Sequence, residues 1–156
     1  MKLRLIAAGT RLPGWVDAAC ADYARRFASD LKFELVEIPL AQRGARVDVA
    51  RAIAREGEKM LGSIRADDFV VALDVGGKSM STGQLALWLA ARMPEGRDLT
   101  FLIGGPDGLA RGCLNRADLR LSLSALTFPH SLVRVMLIEQ LYRAYSLNKG
   151  HPYHRA

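Results

Sequence analysis

Cysteine and histidine are scarce in this chain, and their scarcity excludes several classes of protein. Only Cys20 and Cys113 occur among the 156 residues, far apart and without a CxxC pair. Small disulfide-stapled folds and zinc ribbons both need more cysteines at close spacing. The pattern favours two reduced, packed thiols over a structural disulfide.

Long hydrophobic runs are also missing. A membrane-spanning helix needs about 20 consecutive apolar residues, and the sequence contains no such stretch. The amino-terminal run KLRLIAAG (2–9) has only the length of a strand and contains Arg4, and no cleavage site follows it. We therefore expect neither membrane insertion nor secretion, and we expect a cytoplasmic location.

Acidic residues are outnumbered by basic ones. The chain has 22 Lys and Arg against 16 Asp and Glu, a net charge of +6, and the excess lies toward both ends. This balance permits contacts with nucleic-acid phosphates but does not by itself indicate them. With half of its residues hydrophobic, the chain has a globular composition, and its length predicts one domain over 1–156.

Short apolar runs alternate with helical patterns along the chain. The strand patterns are KLRLIAAG (2–9), KFELVEI (32–38), FVVALDV (69–75), LTFLIGG (99–105) and LRLSLSAL (119–126). Helical spacing covers 15–28, a stretch from Val47, a stretch after Ser81, and 131–147. This alternation predicts an α/β domain in which a mainly parallel sheet lies between two layers of helices. The helix at 131–147 is apolar over most of its circumference, so we expect a second subunit to cover part of it.

Ligands of parallel sheets bind beyond the carboxyl ends of the strands, which directs attention to three segments. DVGGKS (74–79) lacks the glycine spacing of a phosphate loop, and IGGPDGL (103–109) does not match the dinucleotide-binding pattern. In SLSALTFPHSLVR (122–134), backbone amides could hold an adenine or a carboxylate. Without a nucleophile elbow, His130 beside Ser131 does not indicate a hydrolase, and Ser131 is predicted to cap a helix.

The chain ends in HPYHRA (151–156), an unusual set of residues for a terminus that would fray. His151 and His154 have no third ligand nearby, so we predict no metal site. Tyr153 and Arg155 suit RNA better, through stacking and phosphate contacts. From the residues alone, the sequence indicates a small-molecule site beside a basic surface.

Three segments together resemble a known family. LDVGGKSMSTGQLA, FLIGGPDGL and LSLSALTFPHSLVRVMLIEQLYRAYSLNKGHPYHRA are similar to the signature segments of the SPOUT methyltransferases, and specifically of the ribosomal RNA large subunit methyltransferase H family. KLRLIAAGT, ARRF and ELVEIP also resemble it, so the similarity covers essentially the whole chain. It implies methyl transfer from S-adenosylmethionine to N3 of a pseudouridine in 23S ribosomal RNA, a C-terminal trefoil knot and a homodimer, with no metal.

The resemblance also implies a cofactor site. The matching positions are Leu73, Gly104, Leu123, Ser124, Ala125, Leu126, Thr127 and Phe128. Gly105 is expected to line the same pocket. Asp107 stands where the family usually has glutamate, and Phe128 where leucine is common; neither departure conflicts with the assignment.

For the C-terminal tail, the resemblance implies an RNA site at the dimer interface, with the tail folding back toward the cofactor pocket. Tyr153 would stack on the target base, His154 and Arg155 would hold a phosphate or carbonyl, and Arg134 would add charge. N3 must lose a proton, and a base adds about 10² to 10⁴ in rate. His154 is one candidate for that base, and loss to water from a base held by Arg155 is the other. The substrate is expected to be the assembled ribosome; another RNA, a non-catalytic RNA-binding role and a small-molecule binding protein are the alternatives.

Overall fold

In the part of the chain that the structure describes, five parallel strands form the centre of the molecule. The structure is a computed structural model, and it describes residues 1–44, 46 and 48–155. The strands are β1 (Lys2–Ala8), β2 (Lys32–Ile38), β3 (Phe69–Ser79), β4 (Leu99–Ile103) and β5 (Leu119–Ser122). They lie side by side in the order β2-β1-β4-β3-β5, and each pair is parallel. The predicted parallel sheet is confirmed.

Over the described ranges, five α-helices and two 3₁₀ turns connect or follow the strands. The helices are α1 (Gly14–Arg26), α2 (Val49–Ser63), α3 (Thr82–Arg92), α4 (Arg111–Arg116) and α5 (His130–Asn148), and the turns are Met93–Glu95 and Pro152–Arg155. Ser81 and Gln84 form a capping box at the start of α3, and the Asp48 side chain caps α2. Val47, where the sequence pattern began this helix, lies outside the described residues.

The hydrophobic core occupies both faces of the sheet. Side chains alternate between the faces along each strand, so Leu5 of β1 packs in a cluster with α3 and α5, while Ile6 packs in another cluster with Met60 of α2 and Cys113 of α4. All five residues of β4 are buried. The arrangement is the predicted three-layer α/β/α architecture; the trefoil knot stays a prediction.

A buried polar network fixes the amino-terminal end of the sheet. Asp68 accepts hydrogen bonds from Arg4 Nη1 at 2.9 Å and from Thr100 Oγ1 at 2.8 Å, and Arg4 Nη2 donates to the carbonyl of Ser63 at 3.0 Å. These contacts join β1 and β4 to the end of α2 and to the residue before β3. The opposite, carboxyl ends of the strands are left for the loops that form the site.

Both cysteines are buried and unbonded to each other, as the sequence predicted. Cys20 packs against α5 and Cys113 packs between α4 and α2. Among the described residues, no helix is long and apolar enough to span a bilayer.

Candidate functional site

A cavity of about 340 Å³ opens at the carboxyl ends of β3, β4 and β5. Its lining residues are Leu73, Asp74, Val75, Gly105, Pro106, Gly108, Leu121, Leu123, Ser124, Leu126, Thr127, Phe128 and Val133. A bulge within β3 and the loops after β4 and β5 therefore converge, as expected for a ligand site in a parallel sheet.

A break in the sheet supplies the first wall of the cavity. β3 and β5 pair in parallel, but both Leu73 and Lys78 align with Leu121, so residues 74–77 form a bulge. The bulge carries Asp74 and Val75 out of the ladder and into the cavity lining. Asp74 is an acidic side chain among mostly apolar ones, and the sequence analysis did not single it out.

The second wall is the turn after β4. The Gly108 N–H donates to the Gly105 carbonyl at 3.1 Å, and Gly108 has φ of +86°, a conformation that favours glycine. A Cβ atom on Gly104 would lie 2.5 Å from the Gly108 carbonyl carbon. The turn is so tight that the backbone itself occupies the space of a side chain.

The third wall is the segment between β5 and α5. Ser122 Oγ donates to the Ser124 carbonyl at 3.0 Å, and the Leu126 N–H donates to Ser124 Oγ at 3.0 Å. These side-chain bonds replace strand pairing and turn the chain, so β5 ends at Ser122 and not at the predicted residue 126. The Leu126 side chain is 68% exposed at the rim of the cavity.

An ionic clamp holds the second wall from outside. Arg43 donates from Nε to Asp107 at 2.7 Å and from Nη1 and Nη2 to the two oxygens of Glu56 at 2.5 and 3.1 Å. Glu56 is buried and also accepts the Ala41 N–H at 3.0 Å. The hydrogen bonds that Arg43 donates raise the pKa of its guanidinium above the ordinary value, with the bond to Glu56 contributing most and the bond to Asp107 next. The clamp ties the loop after β2 and α2 to the turn after β4.

Most of the predicted cofactor residues meet in this cavity. Seven of the nine line it: Leu73, Gly105, Leu123, Ser124, Leu126, Thr127 and Phe128. Gly104 lines a neighbouring cavity at the same turn, and Ala125 is exposed. The structure thus brings the predicted residues together, while their cofactor contacts stay a prediction.

The C-terminal tail is packed in place, but away from this cavity. The Tyr153 hydroxyl lies 3.1 Å from the Tyr23 hydroxyl and 3.1 Å from Glu139 Oε1, and its ring meets that of Tyr142 edge-on at 4.8 Å. The pKa of the Tyr153 hydroxyl is raised, mainly by burial. The hydrogen bond with Tyr23 and the negative charge of Glu139 raise it further. His154 Nδ1 contacts the carbonyl of His151. No tail residue among those described lines the cavity of its own chain.

Arg134, expected from the family resemblance to add charge at the RNA site, is enclosed by its own chain. Its side chain is fully buried, with Nη1 donating to Glu37 at 2.6 Å and Nη2 donating to the Gly9 carbonyl at 3.2 Å. It therefore joins α5 to the ends of β1 and β2. A guanidinium enclosed in this way is paired within its own chain and is not exposed to an RNA ligand.

Comparison with known proteins identifies the family. The family model described as "Predicted SPOUT methyltransferase" matches residues 1–154. The chain belongs to the SPOUT methyltransferases. Two curated relatives carry the name ribosomal RNA large subunit methyltransferase H. The protein from Alkalilimnicola ehrlichii is 54% identical over 156 residues, which cover 100% of both chains. The protein from Thioalkalivibrio sulfidiphilus is 54% identical over 155 residues, which cover 99% of both chains. The resemblance drawn from the sequence is confirmed.

One solved structure is also similar. It is the SpoU methyltransferase AviRb from Streptomyces viridochromogenes in complex with AdoMet, with a TM-score of 0.49 and 11% identity over 92% of this chain and 57% of that one. This similarity is too low to transfer any feature of that site. Among the described residues, no group of three side chains is arranged to hold a metal ion.

Proposed function

We propose that this SPOUT methyltransferase transfers the methyl group of S-adenosylmethionine to N3 of a pseudouridine in 23S ribosomal RNA, on the assembled ribosome in the cytoplasm. Full-length similarity to two curated large-subunit ribosomal RNA methyltransferases supports the substrate class. The observation that carries the proposal is the cavity in which seven of the nine expected cofactor residues meet.

The cavity suits this cofactor in size and chemistry. Its volume of about 340 Å³ lies within the range of roughly 300–1,000 Å³ for small-molecule sites. Leu73, Leu123, Phe128 and Val133 offer apolar surface for an adenine ring. The Asp74 carboxylate can accept a hydrogen bond from a hydroxyl or ammonium group of the cofactor. The backbone of the turn at 104–108 can approach closely because its glycines carry no side chains.

Bound S-adenosylmethionine would supply an electrophilic methyl group on a sulfonium. The chain must then orient a pyrimidine base so that N3 faces that methyl group; positioning can contribute on the order of 7–11 kcal/mol. The clamp of Arg43 with Glu56 and Asp107 fixes the turn against which both partners would lie. A rigid wall of this kind limits misalignment of the reacting atoms.

We further propose that the active enzyme is a homodimer in which the tail of one subunit completes the cavity of the other. The tail of the same chain lies on α1 and α5 and not in the cavity. Its surroundings suit RNA, since the guanidinium groups of Arg26 and Arg143 lie 5.7 and 5.1 Å from the centre of the Tyr153 ring. His154 and Arg155 would then contact the RNA backbone or the target base. Half-buried apolar side chains on α5, such as Val135 and Met136, provide surface for a second subunit.

Transfer of tritiated methyl from S-adenosylmethionine tests the activity. Intact ribosomes, isolated large subunits and free 23S RNA, all lacking the native modification, would be offered in parallel. We expect label in one N3-methylpseudouridine, with the highest rate on ribosomes. A rate on free RNA equal to that on ribosomes would overturn the ribosome requirement. Label found only in a different RNA would show that this other RNA is the substrate. Tight ribosome binding with no transfer would indicate a non-catalytic binding role.

Subunit mixing tests the role of the tail. A chain ending at Lys149 should bind S-adenosylmethionine within a few fold of the intact chain but should not methylate ribosomes. Co-assembling it with Gly104→Ala subunits, which have intact tails and weakened cofactor binding, should restore activity if the tail acts on the partner, at S-adenosylmethionine concentrations too low to fill the weakened site. Random pairing would then give about a quarter of the activity of the intact dimer, since half the dimers would each hold one working site. Full activity of the truncated chain alone, or no recovery on mixing, would contradict this arrangement.

A further inference from the structure

A second cavity, of about 390 Å³, lies against the candidate cofactor cavity. Five residues line both: Gly105, Pro106, Gly108, Phe128 and Val133. The second cavity adds the end of β4 and the first turn of α5, including His130. The two spaces are therefore neighbours that share lining at the turn after β4 and around the start of α5.

His130 is the titratable side chain that lines this second cavity. It begins α5, and its imidazole lies beside Gly9 at the end of β1, where a Cβ atom on Gly9 would be 3.4 Å from Nε2. Neither ring nitrogen makes a hydrogen bond to another side chain or backbone group in the described part of the chain. The ring is half-buried and open to a ligand.

Charged groups from three elements act on this imidazole. Arg134 is on α5, Arg43 is in the loop after β2, and Glu56 is on α2. Burial has the largest effect, and together with the two arginines it lowers the pKa of His130, while Glu56 acts in the opposite direction. At neutral pH the ring is therefore uncharged and has a nitrogen lone pair available.

We propose that the second cavity seats the target pyrimidine base and that His130 accepts its N3 proton. The proposal rests on the methyltransferase function proposed above. The cofactor and the base must meet across a short distance, and the two cavities share five lining residues. His154, the base candidate in the sequence analysis, contacts the backbone of its own tail through Nδ1, whereas His130 lines the second cavity directly.

Loss of the N3 proton is coupled to transfer of the methyl group. The N–H bond at N3 breaks, its proton moves to an imidazole nitrogen of His130, and the electron pair stays on N3. That pair forms the new N3–CH₃ bond as the C–S bond breaks, and the C–S pair stays on sulfur as a neutral thioether. The imidazolium then releases its proton to water. The donor's positive charge is replaced by one released proton.

Single-turnover methylation by His130→Gln and His130→Ala tests the role. Removing a general base typically lowers a rate by about 10² to 10⁴, and we expect a loss in this range for both variants on ribosomes saturated with enzyme. S-adenosylmethionine affinity should stay within threefold, since His130 does not line the first cavity. Added imidazole should partly restore the rate of His130→Ala, which a merely structural residue would not allow.

The pH profile provides an independent readout. The wild-type rate should rise as pH increases through the titration of His130, below the ordinary histidine pKa of 6.5, and both variants should lack that step. Rates within threefold of wild type in a folded variant would overturn the inference while leaving the methyltransferase function intact. An inactive wild-type enzyme would instead contradict the proposed function. A parallel loss of cofactor affinity would also overturn the inference.

Discussion

Replacing Gly104 by alanine would test the tight turn on which both cavities depend. The new Cβ atom would lie 2.5 Å from the Gly108 carbonyl carbon, 2.6 Å from its oxygen and 2.7 Å from the Leu109 nitrogen. All three are backbone atoms, so no side-chain rotation can relieve the contact. The turn itself has to move.

The size of the effect follows from that displacement. Ordinary van der Waals contact begins at 3.4 Å, so the backbone near Gly108 must shift by 3.4 − 2.5, about 0.9 Å, to accommodate the methyl group. Overpacking by one methyl group usually costs about 1–3 kcal/mol. If this cost falls on the liganded turn, S-adenosylmethionine affinity drops by about 5- to 140-fold.

Isothermal titration calorimetry with S-adenosylmethionine measures the loss directly. Gly76→Ala is the matched control, because it lies in the bulge of the first wall and its Cβ would come no closer than 3.8 Å to another residue, at the Asp74 carboxylate. We expect the control to bind within threefold of wild type. Unchanged affinity and unchanged melting temperature for Gly104→Ala would refute the geometry of the turn.

Two further predictions concern stability. In α2, a Cβ on Gly57 would lie 2.5 Å from Ala110, whereas one on Gly62 would meet nothing within 4 Å. In urea unfolding we therefore expect Gly57→Ala to destabilise the protein by about 1–3 kcal/mol and Gly62→Ala to stabilise it by about 0.5–1 kcal/mol. Changes of the same sign in both variants would contradict the packing of α2. Hydrogen bonds lower the pKa of Asp30, the one from Lys149 most and the one from Tyr145 next. Because the pKa is depressed only in the folded state, this contribution to stability is present above the carboxyl pKa of the unfolded chain. It is lost as pH falls through the lower pKa of the folded protein. An NMR titration should give a midpoint below 3.8 that rises in Lys149→Ala, and an equal midpoint in both proteins would show that the ion pair does not form.

The alternation of strand and helix patterns was sufficient to predict the sheet, the layers and most element boundaries. It missed α4, because Arg111–Arg116 is only six residues long and shows no helical period. It also extended β5 too far, because the residues after Ser122 alternate like a strand. Their serine side chains bond to the local backbone instead and end the pairing.

Some features of the candidate site could be predicted from the sequence, and others could not. The loop residues could be found because ligands of parallel sheets bind at the carboxyl ends of strands, and because the family segments supplied the positions. The Arg43 clamp could not be found, since its partners Glu56 and Asp107 are 13 and 64 residues away. Nor could the placement of Arg134 be read from a helix that is apolar on nearly every side, since such a pattern does not show which face is enclosed.

The sequence by itself determined the local elements, the family and the three loops that meet, because these depend on short-range periodicity and on contiguous motifs. Only the tertiary structure decided which polar groups are exposed and what they contact: Arg134 inside, Tyr153 on α5, and His130 beside a second cavity. Those outcomes depend on contacts between segments distant along the chain. Burial and charge pairing are properties of such contacts, and no local pattern contains them.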